Sequence, residues 1–359
     1  MTTTLTTSRR RLRWGVVLAT VVLGQMALPV ASAPTGVMGG GSGATATATA
    51  QRQHARLAPA LGGRPFAASS PFNTLTPGGT QWFDNTRIHR LATPVNGDYT
   101  LHWWVNTASV GVFYASNTDP YWTFQLPALN AALWHRVRPA ATFTVRAPAN
   151  LIDGGDEDHV VLLVSGDTYY EVWNAQVDQV NRRVTSRSNG SNWATGSISA
   201  GPGAGSAIND GTRASNFSWA AGLITGDDLQ NGSIDHALAI AMTAPILKAG
   251  ATPDYLNPAT AWDNGGGYGP IKMGTRLGIP PGTPRPAGLS PVGVMLFDAL
   301  QKYGAFVGDF CGGPWPQFYA DKRTITEAQM KPLFAFWEHN GSADMEKIQP
   351  LLRVANYQP

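Results

Sequence analysis

Residues 159–173 read HVVLLVSGDTYYEVW. Two runs of β-branched and aromatic residues flank Ser165-Gly166-Asp167-Thr168, a turn-type cluster, and this arrangement predicts an antiparallel hairpin. A two-residue turn sets Ser165 opposite Thr168, Leu162 opposite Glu171 and Val160 opposite Trp173. Side chains alternate along a strand, so Glu171 shares a face with Asp158, and His159 lies on the side of Tyr170 and Val172. A bulged turn would exchange the two faces. Asp158 and Glu171 then stand about four residues apart along the ladder, on the order of 13 Å. Glycosidase carboxylate pairs are roughly 5–10 Å apart. Glu171 therefore needs a partner from another strand.

Short strands of the same character precede the hairpin, at Tyr99 to Val105, Val110 to Ala115, Tyr121 to Leu126 and Thr142 to Arg146, cut by Pro, Gly and Asn. Asn189 to Arg213 is rich in Gly, Ser and Asn and reads as a long surface loop bordering a cleft. Ala221 to Met242 follows with three parts: an apolar entry, a polar turn closed by Gly232, and a run carrying Asp235 and His236. Strand parity puts Ile234, His236, Leu238, Ile240 and Met242 on one face, and Asp235 with three alanines on the other. Lys272 to Ile279, Ala305 to Phe310 and Leu351 to Asn356 complete the strands.

Two helices are expected. Ser290 is an N-cap, Pro291 suits the first turn and Gly304 the C′ position of a helix to Tyr303, whose inward face is Val294, Phe297, Leu300 and Gln301. Thr326-Glu327-Ala328-Gln329 is a capping box that opens a second helix to about Glu338, interrupted by Pro332. Many strands with few helices favour a mainly β, two-sheet sandwich of jelly-roll type with one or two short C-terminal helices.

Before this domain, Arg9, Arg10, Arg11 and Arg13 precede a mostly apolar run to Val30, and Ala31-Ser32-Ala33 matches an A-x-A cleavage site. Residues 1–33 are thus expected to be a removable signal peptide, 34–63 a flexible Gly/Ala/Thr-rich linker, and 64–359 one secreted domain without a membrane span. The net charge of +3 reflects those four arginines; the remainder carries about −1, which removes the basic-patch argument for nucleic acid. Cys311 is the sole cysteine, so no intrachain disulfide forms despite an oxidising destination, and the chain is expected to act as a monomer held by its core. Only 14% of residues are charged while 12 are Trp, a balance that suits neutral, flat-faced ligands such as sugars.

Several residues carry candidate chemistry. Asp153, Asp156, Glu157, Asp158 and His159 form an acidic run (DGGDEDH) opening into a strand. It reads as a Ca²⁺ site at Asp153, Asp156 and Asp158, as a source of catalytic carboxylate, or as a solvated, capped turn; it lacks the EF-hand order. Glu171 inside YYEVW is either a buried general acid with a raised pKa or an edge-strand residue facing water. His236 is either a base or substrate donor, or a hydrogen-bonded core histidine beside Asp235. Asp263, in a Gly-rich loop, serves a turn or supplies a carboxylate. Cys311 reads as a buried thiol before a nucleophile. Zinc spacings, a GxSxG elbow, a P-loop and a dinucleotide fingerprint are all absent from the sequence.

The segments SSPFNT, DEDHVVLLV with YYEVW, AGLI…GSIDHALAI, PAT…GTRLGIPP and ALQKYGAFVGD occur in that order. They resemble a group of secreted, largely uncharacterised bacterial β-sandwich proteins with polysaccharide-active neighbours. The likeness spans roughly Pro65 to Asn356, and His159, Glu171 and His236, with Glu157 more loosely, match its motifs. The expected function is a secreted glycoside hydrolase acting on a polysaccharide. Glu171 would be the acid; Glu157, Asp158, Asp235 or Asp263 the nucleophile or base. His236 would orient substrate, and Trp173, Trp219 and Trp262 would be sugar platforms. The rivals are a polysaccharide lyase with His236 or His159 as base, and a non-catalytic carbohydrate-binding envelope protein.

Overall fold

The computed structural model describes residues 64–84, 88, 90–95, 98–100, 104–130, 137–155, 158–188, 191–199, 211–263, 265–312, 315–333 and 344–356. The expected leader and linker lie outside these residues, as do Asp156, Glu157, residues 189–190 and 200–210 of the expected 189–213 loop and residues 334–338 of the second helix; within that loop Asn192–Ser197 is a strand instead. Among the described residues no helix is long and apolar enough to cross a membrane.

The chain is mainly β. In order its strands are β1 (Trp82–Phe83), β2 (Arg90–Val95), β3 (Asp98–Thr100), β4 (Trp104–Asn106), β5 (Val112–Tyr114), β6 (Tyr121–Leu126), β7 (Ala141–Arg146), β8 (Val161–Ser165) and β9 (Thr168–Trp173). They continue as β10 (Ala175–Asp178), β11 (Arg183–Ser186), β12 (Asn192–Ser197), β13 (Leu238–Thr243), β14 (Arg276–Gly278), β15 (Ala305–Cys311), β16 (Gln317–Tyr319) and β17 (Arg353–Ala355). The helices are α1 (Gly226–Asn231), α2 (Pro291–Lys302), α3 (Glu327–Met330) and α4 (Asp344–Ile348).

Three mixed sheets organise these strands, with β2 and β3 forming a separate pair. One sheet runs β10-β11-β6-β7, a second β12-β9-β8-β5, and a seven-stranded sheet β1-β17-β14-β15-β13-β16-β4. The β8–β9 hairpin has the expected register, Ser165 opposite Thr168 and Leu162 opposite Glu171. Its sheet is buried on both faces. Leu162 and Val164 share a core with Val112, Tyr169, Ala194 and the β13 and β15 side chains. Val161 and Leu163 share another with Phe113, Val172, Trp193, and with Trp122, Phe124 and Val184 of the first sheet. Burial on both sides explains why HVVLLV is a continuous apolar run without alternation. The sandwich thus has a third layer beyond the two expected, and it contains parallel pairs, β13 with β15 and β5 with β8 among them.

α1 is the helical turn that Gly232 closes: Thr225 caps it in a capping box with Asp228, and Gly232 has φ 68°. The strand expected from Ile234 starts only at Leu238, and all six residues of β13 are buried. α2 has the Ser290 cap and the first-turn proline, and it buries Val292, Met295, Leu296, Phe297, Ala299 and Leu300. Gln301, the polar exception on that face, donates to the Pro280 and Thr283 carbonyls. α3 opens on the Thr326–Gln329 capping box and passes into a 3₁₀ turn at Lys331–Leu333.

The β13–β15 ladder is irregular at one point. Ile240 pairs with Val307 but Ala241 with Asp309, so Gly308 is bulged out. Its carbonyl accepts the Ser215 N–H at 3.1 Å, tying the 211–217 segment to the bulge. A bulge redirects the side chain that follows it, and here that side chain is Asp309.

Burial of β8 between two cores makes a definite prediction. Leu163→Ala should lower the unfolding free energy by about 2–5 kcal/mol in urea titrations. Val180→Ala, at a position 92% exposed, should change it by less than about 0.5 kcal/mol. Equal losses at the two positions would contradict the three-layer packing.

Candidate functional site

Asp309 sits near the C-terminal end of β15, with 18% of its side chain exposed. Oδ1 accepts the Phe310 N–H at 3.0 Å and the Ala214 N–H at 3.4 Å, and Oδ2 lies 3.8 Å from Arg213 Nη1. Burial pushes this carboxyl up to about 7. Asp158 and Asp263 are like-charged neighbours that add to the rise; Arg213 and the Phe310 N–H oppose it.

Arg213 is fully buried, its guanidinium carbon 3.9 Å from the Trp219 ring centroid and 4.3 Å from that of Tyr319. Its Nε, Nη1 and Nη2 make no hydrogen bond in the structure, so stacking and the charge of Asp309 are its compensation. Tyr319, held well above the usual tyrosine range by burial, accepts from Gln317 Nε2 at 2.8 Å. From Gln317 a polar chain continues through Asn106 Nδ2 (3.5 Å) to Ser109 Oγ (2.6 Å) and on to Asp158 Oδ2 (3.1 Å). The Trp173 indole N–H donates to Asp158 Oδ1 at 3.0 Å. Both oxygens of Asp158 are therefore held.

The 257–267 loop borders the same group. Asn216 Nδ2 donates to Thr260 Oγ1 at 3.1 Å, and the Thr260 N–H to the Ser215 carbonyl at 3.1 Å. Gly266 lies so close to Phe310 that a Cβ there would come 2.5 Å from the ring. Asp263 Oδ1 accepts the Gly265 N–H at 2.7 Å, a turn contact, and its charge acts on Asp309. Trp262, next in line, is anchored by its indole N–H to the Gly250 carbonyl (2.7 Å) and stacks on Tyr255, with centroids 6.1 Å apart and 17° between planes. It lines an open depression of about 260 Å³ together with residues 248–254.

Glu171 occupies a different level. It is 0% exposed and faces the core shared with β13. Oε1 accepts from the Ser218 hydroxyl and from the Trp219 N–H at 2.8 Å, and Oε2 from the Thr212 N–H at 3.1 Å. Burial raises its carboxyl to about 7, and these donors and Arg213 oppose the rise. Sealed against protein donors, Glu171 cannot reach a substrate. It anchors the segment that carries Arg213, which corrects the expectation of a general acid there.

The other expected residues divide clearly. Asp158 and Asp263 are charged neighbours of Asp309, Trp173 donates to Asp158, and Trp262 precedes Asp263 in the chain. Trp219 is buried, its indole N–H on Thr212 Oγ1 at 2.8 Å, so it is a core residue and not a sugar platform. His236 lies before β13, only 2% exposed, its Nδ1 2.9 Å from the Ala237 carbonyl and its Nε2 3.6 Å from buried Asp228. Asp235, half exposed, accepts from Ser233 and lies 3.9 Å from Arg64. His159, at φ 45°, has Nδ1 3.5 Å from Asp153, which also pairs with Arg187 at 3.1 Å. Asp153 and Asp158 thus have separate partners. Among the described residues no three His, Cys, Asp or Glu side chains gather as a metal site, and Asp156 and Glu157 lie outside them. Cys311 is a buried thiol at the end of β15.

Sequence reasoning missed Asp309 and Arg213. The available signal was the one that singled out Glu171, an acid inside an apolar strand, here AFVGDF. No family model, no curated protein and no solved structure matches the chain.

Because the folded state holds the Glu171 proton to about 7 against an ordinary 4.5, its contribution to stability is present below about 4.5 and lost as the pH rises towards 7, on the order of 3 kcal/mol. Glu171→Gln should abolish that part of the decline. At pH 5 it should also cost about 1–3 kcal/mol, since an amide N–H would meet a backbone donor. Thermal unfolding across pH 4–8 checks both; an unchanged pH dependence would show that Glu171 is not the titrating group.

Proposed function

We propose that the protein is an exported hydrolase of glycans in which Asp309 is the general acid. One observation carries this reading: a partly exposed carboxyl, raised to about 7, stands at a bulge within electrostatic range of two further carboxylates, Asp158 and Asp263. A group with that pKa keeps its proton at neutral pH and can deliver it to a leaving glycosidic oxygen. Asp158, oriented by Ser109 and the Trp173 indole, is the matching carboxylate for attack or for activating water. The chemistry is that expected from the sequence, moved from Glu171 to Asp309.

The aromatic surroundings support a sugar substrate. Trp173 is half-buried beside Asp158, and Trp262 with Tyr255 forms a stacked pair next to Asp263. A lyase is less well supported, since His236 is sealed and His159 is engaged by Asp153. The stacked pair alone favours the second reading, a carbohydrate-binding protein without turnover.

Reducing-end release from a polysaccharide panel separates these readings. The unmutated protein should hydrolyse at least one polymer, with activity falling as the pH rises through about 7 and Asp309 loses its proton. Asp309→Asn should reduce kcat/KM by about 10²–10⁴-fold. Full activity in that variant would remove Asp309 from the chemistry, and glycan binding without any hydrolysis would establish the second reading.

A further inference from the structure

Lys248, Asp254 and Lys272 form a charged cluster outside the Asp309 group. Asp254 Oδ2 is 2.5 Å from Lys248 Nζ, and its Oδ1 is 3.0 Å from Lys272 Nζ. One carboxylate serves two ammonium groups, so the cluster carries a surplus positive charge. Lys272 is largely buried, whereas Lys248 is exposed and lines the depression that Trp262 also lines. Trp262 is fixed there by its hydrogen bond to Gly250 and by Tyr255. A rigid indole beside this ion-paired cluster, whose extra positive charge is that of Lys272 behind Asp254, offers an apolar plane for a pyranose ring and a net positive field for an anionic substituent.

We propose that the depression bounded by Lys248, Asp254 and Trp262 binds an acidic sugar of the glycan, its ring on Trp262 and its anionic group at Lys248. This rests on the glycan reading above and names the class of polymer. The next residue along the chain, Asp263, is an electrostatic neighbour of Asp309.

Affinity electrophoresis of the whole protein tests the inference without relying on turnover. Gels would carry polygalacturonate or alginate as uronates, dextran sulfate as a sulfate ester, or dextran as a neutral control. Retardation by one acidic class and not by dextran is expected, and which class retards it distinguishes carboxylate from sulfate. Lys248→Met removes the surplus charge while Asp254 keeps Lys272, so the cluster stays neutral; it should weaken retardation about tenfold. Trp262→Ala should do the same, with thermal melting confirming that both variants fold. Equal retardation by dextran, no retardation by any acidic polymer, or retardation unchanged in Lys248→Met would overturn the proposal. Lys248-dependent binding in a protein that cleaves nothing would uphold it while the hydrolase reading fails, and cleavage with Lys248-independent binding would do the reverse.

Discussion

The structure around the candidate site depends on the carboxyl group of Glu171. Polar atoms in a closed core are costly unless hydrogen bonds meet them. Here the hydroxyl of Ser218 and the N–H groups of Thr212 and Trp219 all converge on it, and all come from one segment. That segment has little regular structure of its own, and Glu171 gives its backbone a fixed set of acceptors. Removing the acid would strand those donors together. The same segment supplies Arg213, and it is tied to the Gly308 bulge by Ser215.

From this anchor the site follows in sequence. Glu171 fixes residues 212–219, Arg213 lies against both the Trp219 and Tyr319 rings, and its charge faces Asp309. Glu171 and Asp309 are both raised by burial, but only Asp309 has access to solvent. One carboxyl is structural and the other available for chemistry. Access, and not the raised pKa itself, separates the two roles.

Much of this was legible in the chain. Turn chemistry at Ser165-Gly166-Asp167-Thr168 determined the register of β8 and β9, and with it the face on which Glu171 lies. The anomaly of an acid in YYEVW was also visible. What pattern could not supply was whether that acid faces a cleft or a closed set of donors, because the donors lie about forty residues further along the chain. Strand parity puts His236 on a β face, but the backbone bends there and the strand begins only at Leu238. Ala237 donates to the Phe72 carbonyl before β13 begins, a contact over long sequence separation. Asp309 was hidden for a related reason: strict alternation along β15 fails at Gly308, and a bulge is a property of two paired strands. The tryptophans divide in the same way, Trp219 closing a core and Trp262 lining a depression, with no difference in local sequence that foretells it.

A pH titration of carboxyl carbons by NMR, in protein labelled at Asp and Glu, addresses the division between the two acids most directly. Asp309, assigned by its loss in Asp309→Asn, should titrate near 7, about three units above an ordinary aspartate. An Asp309 resonance that titrates in the usual range near 4 would contradict the site as built here.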